Sequence, residues 1–262
     1  MSRREVKSAV RSLDVLYMFA TERRALSQRE IVKLLGYPQS STTFLLKTMV
    51  GSGYLIYDPN ERTYFPTPKV LSVGDWLRET DYGRMDGEGP LADLIRELEE
   101  EFGETICLST QNDTNVYWHR VIARNLPRDL YYPEGHMYAL TYSSHGWVLM
   151  SRLEAERVDR MCRLVNSREP NPQLRVNPDE AVRRAEHIRQ RGVFYHRNTF
   201  LVGGSSVSML LPGKIAGRAV AIGVGGTVDR IEQKLDQIVP RFEKAVRAYG
   251  SRIGNAMAAG AA

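Results

Sequence analysis

Gln39, Ser40, Ser41, Thr43 and Lys47 crowd one short polar stretch, QSSTTFLLK, and their side chains suit a particular kind of recognition. A carboxamide can pair its donor and acceptor with adenine, hydroxyls can bond either kind of base edge, and an ammonium group neutralises a phosphate. Arg62 follows beyond a turn, and Arg3, Arg4, Lys7 and Arg11 stud the start of the chain. Together these groups fit the edges and backbone of double-stranded DNA.

Bond-making chemistry finds little support elsewhere. His119, His136, His145 and His196 form no His-x3-His or His-Glu-x-x-His pair, so they read as core or pocket histidines rather than metal ligands. Gly203-Gly-Ser-Ser206 is not a Gly-x-Ser-x-Gly nucleophile elbow. Gly223-Val-Gly-Gly226 lacks the third glycine of a dinucleotide fingerprint and, after an apolar run, reads as a tight turn. There is no phosphate-binding Gly-x4-Gly-Lys-Ser/Thr motif. Cys107 and Cys162 lie far apart and read as small buried hydrophobes. The expectation is a non-enzyme with no catalytic residue, no metal and no cofactor.

The polar stretch needs a scaffold, and the flanking sequence supplies one. Ser27 is followed three residues later by Glu30, the pattern of a helix capping box. Ile31, Leu34 and Leu35 give that helix an apolar face, Gly36 can close it with positive φ, and Pro38 opens the next helix. In Gln39–Val50, Leu45, Leu46 and Met49 face inward and leave the polar set towards solvent. Tyr54–Tyr57 and Arg62–Phe65 are strand-like around Asp58-Pro-Asn-Glu61, a turn cluster. Two short helices and a small hairpin outline a winged helix-turn-helix. A preceding helix, roughly Val6 to Ala20, can back the pair with Val6, Val10, Leu13, Leu16, Tyr17 and Ala20.

The chain has 262 residues, 42% of them hydrophobic, enough for one small and one ordinary domain. Residues 1–77 hold 11 Lys/Arg against 7 Asp/Glu, whereas the rest hold 25 against 24. The positive excess therefore lies with the helix pair, where phosphate contact needs it. MSRREVKSAV has no apolar core of a signal peptide and no run is long enough to span a membrane, which predicts a soluble, cytoplasmic protein with no membrane partner.

After the wing, Pro66-Thr-Pro68 punctuates the chain and Lys69–Arg78 resumes a helix; the Gly-rich Tyr82–Pro90 is the best boundary. Leu91–Phe102 reads as an amphipathic helix buried through Leu91, Leu94, Ile95 and Leu98. Thr105–Gln111 and Asn115–Ala123 read as a hairpin, and Asp129–Tyr132 and His136–Tyr142 as short strands. Helices follow at Ser143–Arg152, Glu154–Val165 and Pro178–Gly192, then strands at Val193–His196, Ser205–Leu211 and Ala219–Val224, and a closing helix from Asp229 to about Arg252. This order predicts an α+β fold: an antiparallel sheet with flanking helices.

These features together resemble the IclR family of bacterial transcription factors over nearly the whole chain. The marks are Val10-Arg-Ser-Leu13, Ile31-Val-Lys-Leu34, Pro38 with Ser40-Ser41, Leu45-Leu46, Gly53-Tyr54, Gly103-Glu104-Thr105, Gly135, Gly146, Gly192 and Gly223-Val-Gly-Gly226. The resemblance implies a winged helix-turn-helix DNA-binding domain (1–68), a linker helix and hinge (69–90) and a GAF-like effector-binding domain (91–262). It implies homodimers or homotetramers, a dimer placing two reading helices on a two-fold operator, which repress or activate genes in response to a small organic or aromatic acid. Members similar to this chain often carry Lys after the proline and Arg before the paired leucines; here Gln39 and Phe44 stand there. Direct readout then falls to Gln39, Ser40, Ser41 and Thr43, phosphate contact to Lys47, Arg62, Arg3, Arg4 and Lys7, and Phe44 is expected to be buried rather than to touch a thymine methyl.

In the second domain the resemblance maps effector contacts onto Ser144 and its neighbours, His196 or Asn198, Ser206, Gly223 and Gly225. Tyr138, Tyr142, His145 and Trp147, with His136 and Ser208, complete the expected pocket. Similar members often have Cys at Ser206 and Ser at both glycines, so two hydroxyls are lost and space is gained, which points to a larger or more aromatic ligand than a two- or three-carbon keto acid. Competing readings are a winged helix that docks on another protein and, more remotely, a small-molecule enzyme.

Overall fold

The computed structural model describes residues 6–80, 89–125, 127, 130–131, 133–197 and 202–260, with side chains described up to residue 254. The chain divides into two compact units, Met1–Glu79 and Thr80–Ala262. Among the described residues no helix is long and apolar enough to cross a membrane.

The first unit contains α1 (Lys7–Glu22), β1 (Leu26–Ser27), α2 (Gln28–Leu35), α3 (Gln39–Gly51), β2 (Leu55–Asp58), β3 (Thr63–Pro66) and α4 (Lys69–Gly74), which runs into a 3-10 turn at Asp75–Glu79. The capping box forms: Ser27 Oγ accepts the Glu30 N–H, and the Glu30 carboxylate accepts the Ser27 N–H at 2.8 Å. Those bonds, with Arg24, hold the Glu30 carboxyl down to about 2. Gly36 closes α2 with φ +66°, a conformation in which its missing Cβ matters. Pro38 is the residue before α3 rather than its first turn, with extended ψ 134°. β1, unexpected from sequence, pairs with β3 and makes the wing three-stranded.

Two expectations about buried faces are corrected. The α1 residues packed inward are Val15, Met18 and Phe19, against Leu26, Ile31, Leu46, Met49, Leu55 and Tyr64. Val6, Val10, Leu13 and Tyr17 form an exposed apolar stripe instead. α1 has two faces with helical apolar spacing, and the bulkier pair Met18 and Phe19 takes the core. Leu34 is likewise exposed, because Ile31 alone reaches the centre.

The second unit contains α5 (Pro90–Phe102), β4 (Thr105–Asn112), β5 (Asn115–Ile122), β6 (Met137–Ala139), α6 (Ser144–Met150), α7 (Ala155–Arg168), α8 (Pro178–Arg191), β7 (Val193–Arg197), β8 (Gly204–Leu210), β9 (Val220–Thr227) and α9 (Val228–Gly260). The strands form one antiparallel sheet in the order β6-β5-β4-β9-β8-β7. Alternation along each strand splits the interior into two cores. Ile106, Leu108, Val207, Ile222 and Val224 meet α5 and α9 on one face. Val116, Trp118 and Ala221 meet α6, α7 and α8 on the other.

Three further expectations change. Residues 137–139 are a strand, but Leu140–Tyr142 turns into a 3-10 helix feeding α6. The expected strand at Asp129–Tyr132 lies partly outside the described residues, and Leu130 is in a 3-10 turn. Gly223, Gly225 and Gly226 are not in a turn: they lie inside β9, all three paired with β8 and the first two also with β4. There, glycine serves close approach, since a Cβ at Gly226 would lie 2.8 Å from the buried Glu104 Oε2. Glu104 is paired with Arg230 and, at 3.0 Å, with Lys234 of α9.

α6 packs against the 3-10 turn before it so closely that a Cβ at Gly146 would collide with the Leu140 backbone. Gly146→Ala is therefore expected to destabilise the second unit by about 3 kcal/mol or more, the upper range of overpacking. Urea unfolding followed by tryptophan fluorescence measures it, and a loss under 1 kcal/mol would contradict the contact.

Candidate functional site

α3 owes its direction to what it buries. Thr42, Leu46 and Met49 face the core, and Thr42 Oγ1 donates to Pro38 O at 3.1 Å. The opposite face carries Ser40, Phe44, Lys47 and Thr48, all exposed, with Gln39 exposed at the first turn. Two of the expected reading hydroxyls are already engaged. Ser41 Oγ donates to Pro38 O and accepts from Arg11 at 3.3 Å, while Arg11 also covers the Tyr37 ring at 4.7 Å. Thr43 Oγ1 donates to Gln39 O and accepts from Gln28 Nε2 at 2.7 Å. Ser41 and Thr43 thus tie α3 to α1 and α2, whereas Gln39, Ser40 and Lys47 point outward without such ties. Phe44 is 73% exposed and not buried, a reversal of expectation. The reason is phase: with Leu46 and Met49 inward, position 44 falls opposite them.

Lys7 and Arg62 are exposed, and Arg3 and Arg4 lie outside the described residues. Arg62 ends the wing turn with φ +54°, after the Asp58 carboxylate has accepted the N–H groups of Asn60 and Glu61 at 2.8 and 3.2 Å. That left-handed arginine is not legible from local residue types, because the turn cluster allows several closures.

The second candidate site is the sheet face under α6. Directly opposed residues in antiparallel strands share a face. The register therefore sets Thr105, Gly225, Ser206 and His196 in one row, and Cys107, Gly223, Ser208 and Phe194 in the next. Ser144, in the first turn of α6, places its hydroxyl 2.6 Å from Ser206 Oγ and 2.5 Å from Ser208 Oγ, a knot of three hydroxyls. Beside it His145 is 1% exposed, with Nδ1 2.8 Å from Ser109 Oγ and its ring 4.5 Å from that of Trp118. A Cβ at Gly223 would overlap His145 Nε2 and lie 2.7 Å from Ser208 Oγ. The space expected at Gly223 is thus filled by His145. Gly225 has only ordinary contacts, the nearest at 3.5 Å.

Some polar atoms on this face are buried without a partner: Thr105 Oγ1 and His196 Nδ1 in the first row, and Trp118 Nε1 across from Ser109. Such groups are uncommon and call for an explanation. Burial, with a smaller contribution from Arg184, pushes His196 down to about 4. Burial pushes His145 to about 3 and the Cys107 thiol up to about 12. Both histidines are neutral at neutral pH and can offer hydrogen bonds but no charge. Arg184 is half-buried on α8, 4.5 Å over the Trp147 ring.

The expected pocket residues therefore separate. Ser144, His145, His196, Ser206, Ser208, Gly223 and Gly225 meet on one face. Trp147 is fully buried in the core, its indole N–H donating to Thr141 O. Tyr142 donates its hydroxyl to the Glu169 carboxylate; burial, and then that bond, raise its pKa. His136 and Tyr138 stack at the β6 edge, opposite to the β7 edge that carries His196. Asn198 lies outside the described residues. Thr105, Ser109, Trp118 and Arg184 were missed; the first three share alternating positions, but only the register brings them to this face.

The profile of the IclR helix-turn-helix domain matches residues 8–59. The HTH-type transcriptional regulator TsaQ1/TsaQ2 of Comamonas testosteroni is 26% identical over 111 residues, which cover 42% of this chain and only 38% of that regulator. The effector domain of the transcriptional regulator IclR from Acinetobacter sp. ADP1 is 26% identical, covers 66% of this chain and 97% of its own, and superposes with a TM-score of 0.59. Thermotoga maritima IclR shares the fold at 15% identity, 94% and 100% coverage and a TM-score of 0.65. An IclR family regulator from Brucella abortus does so at 21%, 95% and 93%, and 0.57.

The buried histidine has a measurable consequence. An unfolded histidine titrates near 6.5 and folded His145 near 3, so the unfolded chain binds the proton first. Its stabilising contribution is complete above pH 6.5 and is lost as pH falls towards 3, at up to about 1.4 kcal/mol per pH unit. His119 and His196, both near 4, act in the same direction. Urea midpoints should fall between pH 6.5 and 5, and less steeply in His145→Gln; equal slopes would show that His145 is not buried neutral.

Proposed function

The chain belongs to the IclR family of transcriptional regulators, and from that premise we propose that it regulates transcription by binding double-stranded operator DNA, under control of a small organic acid bound in its second unit. The observation that carries the DNA reading is the outward face of α3, polar and cationic, in a unit that holds the chain's positive excess. Gln39 and Ser40 read base edges, Lys7, Lys47 and Arg62 contact phosphate, and Arg3 and Arg4 add to that grip. Ser41 and Thr43 orient the helix. A second copy of the chain, as a homodimer or dimer of dimers, covers the apolar stripe of Val6, Val10, Leu13 and Tyr17 and the exposed Leu71, Val73 and Trp76, more apolar surface than a lone protein usually shows. A cytoplasmic location follows from this role.

For the effector, the reading rests on the unpartnered Thr105 Oγ1 and His196 Nδ1 flanking Gly225 and Ser206. A carboxylic acid there accepts from hydroxyls now spent on the Ser144 knot and from a neutral imidazole. Room for an aromatic ring is limited to the Gly225 side, since His145 fills the space at Gly223.

Gel-shift titration at rising salt on DNA flanking the gene tests the first part. Affinity should fall log-linearly, with a slope of about 0.9 per phosphate contact. Lys47→Ala should lower that slope by about 1, while Gln39→Ala blurs preference at one base pair. A flat response would favour a winged helix that docks on protein. Calorimetry with glyoxylate, pyruvate and benzoate tests the second part: His196→Ala should weaken the bound acid about ten-fold or more, the loss of a hydrogen bond to a charged group. Unchanged affinity would move the site elsewhere.

A further inference from the structure

Phe44 stands at the centre of the solvent face of α3, with Ser40 and Thr48 one turn to either side and Lys47 three residues on. The cluster beneath α3 is complete without it: Leu46 and Met49 fill the core and Leu45 and Val50 seal its edge. An aromatic ring this exposed asks for a partner. Its neighbours are hydroxyls and an ammonium group, which suit a groove walled by phosphate and not a second apolar face.

Resting on the DNA-binding reading above, we infer that Phe44 is a specificity-determining residue that reads the 5-methyl group of thymine in the major groove. The groove admits an α-helix, and the base edges there present nitrogen and oxygen donors and acceptors, with one apolar group among them, the thymine methyl. A phenyl ring pressed on any other edge strips water from a donor or acceptor and returns no hydrogen bond. Over a methyl, it buries apolar surface on both sides. Phe44 therefore contributes both attraction to thymine and discrimination against the other bases, whereas Gln39 and Ser40 at the helix start discriminate by hydrogen bonding.

The test begins with DNA selected from a random duplex pool by the full-length protein, after which each dT in the selected site is replaced singly by dU. The wild type should lose about four-fold in affinity at one or two positions, as expected for one buried methyl. Phe44→Ala, with an unchanged melting temperature, should bind the dT and dU forms of those positions equally. Selected DNA with no methyl-sensitive position overturns the role of Phe44 and leaves the DNA-binding reading standing. The same dU penalty in Phe44→Ala, or a changed oligomeric state of that variant in sedimentation, also overturns it. Failure to select any DNA overturns both readings together.

Discussion

The second unit depends on how closely α6 approaches the sheet. Two missing side chains make the approach possible: Gly146 lets α6 lie on the Leu140 backbone, and Gly223 lets the His145 ring enter the face of β9. With α6 at that depth, Ser144 reaches Ser206 and Ser208, and His145 reaches Ser109. The same depth buries His145 and closes water away from Thr105 and His196. One steric allowance thus produces the hydroxyl knot, the neutral histidine and the unpartnered groups at once. A glycine in mid-strand usually weakens a sheet; here the packing it admits offsets that cost.

The first unit has a simpler dependence. Its small core fixes the rotation of α3 about its axis, and that rotation decides which residues meet a partner. Thr42 is drawn in although it is polar, its hydroxyl bonded to Pro38 O, because Leu46 and Met49 set the phase. Phe44 is turned out although it is aromatic. Hydropathy alone reverses both assignments.

Local features were legible from sequence, and features set by distant packing were not. The Ser27–Glu30 box, Gly36 and the β4–β5 hairpin depend on neighbours in the chain, and each is where the spacing implies. The buried face of α1 was not legible, because two faces of one helix carry apolar residues and only Leu26, Ile31 and Leu46 choose between them. Gly223-Val-Gly-Gly226 was misread as a turn because glycine for close approach and glycine for positive φ look alike in a sequence. None of the three appears among the residues of positive φ. The row of Thr105, Gly225, Ser206 and His196 joins four strands, and no local signal reports a register of that kind.

The two proposed recognition surfaces work under opposite electrostatics. On α3 and the wing, the cations are exposed, so their attraction to phosphate is long-ranged in dilute salt and screened within about 10 Å at 0.1 M. Under α6 the histidines are neutral and, apart from the half-buried Arg184 whose charge reaches His196, the remaining groups are hydroxyls, the Cys107 thiol and an indole N–H, held in a closed face. An acid entering there meets fixed dipoles in a medium of low polarity, where each hydrogen bond is strong and each unmet one is costly. Salt therefore governs the first surface and hardly touches the second. What governs the second is desolvation: a ligand must replace the Ser144 knot and satisfy Thr105 and His196 before its own loss of water is made good. That requirement selects by the placement of donors and acceptors on the ligand more than by its charge. It follows that a neutral isostere with the same hydrogen-bonding atoms is the sharper competitor for an acid at this site than an acid of different shape.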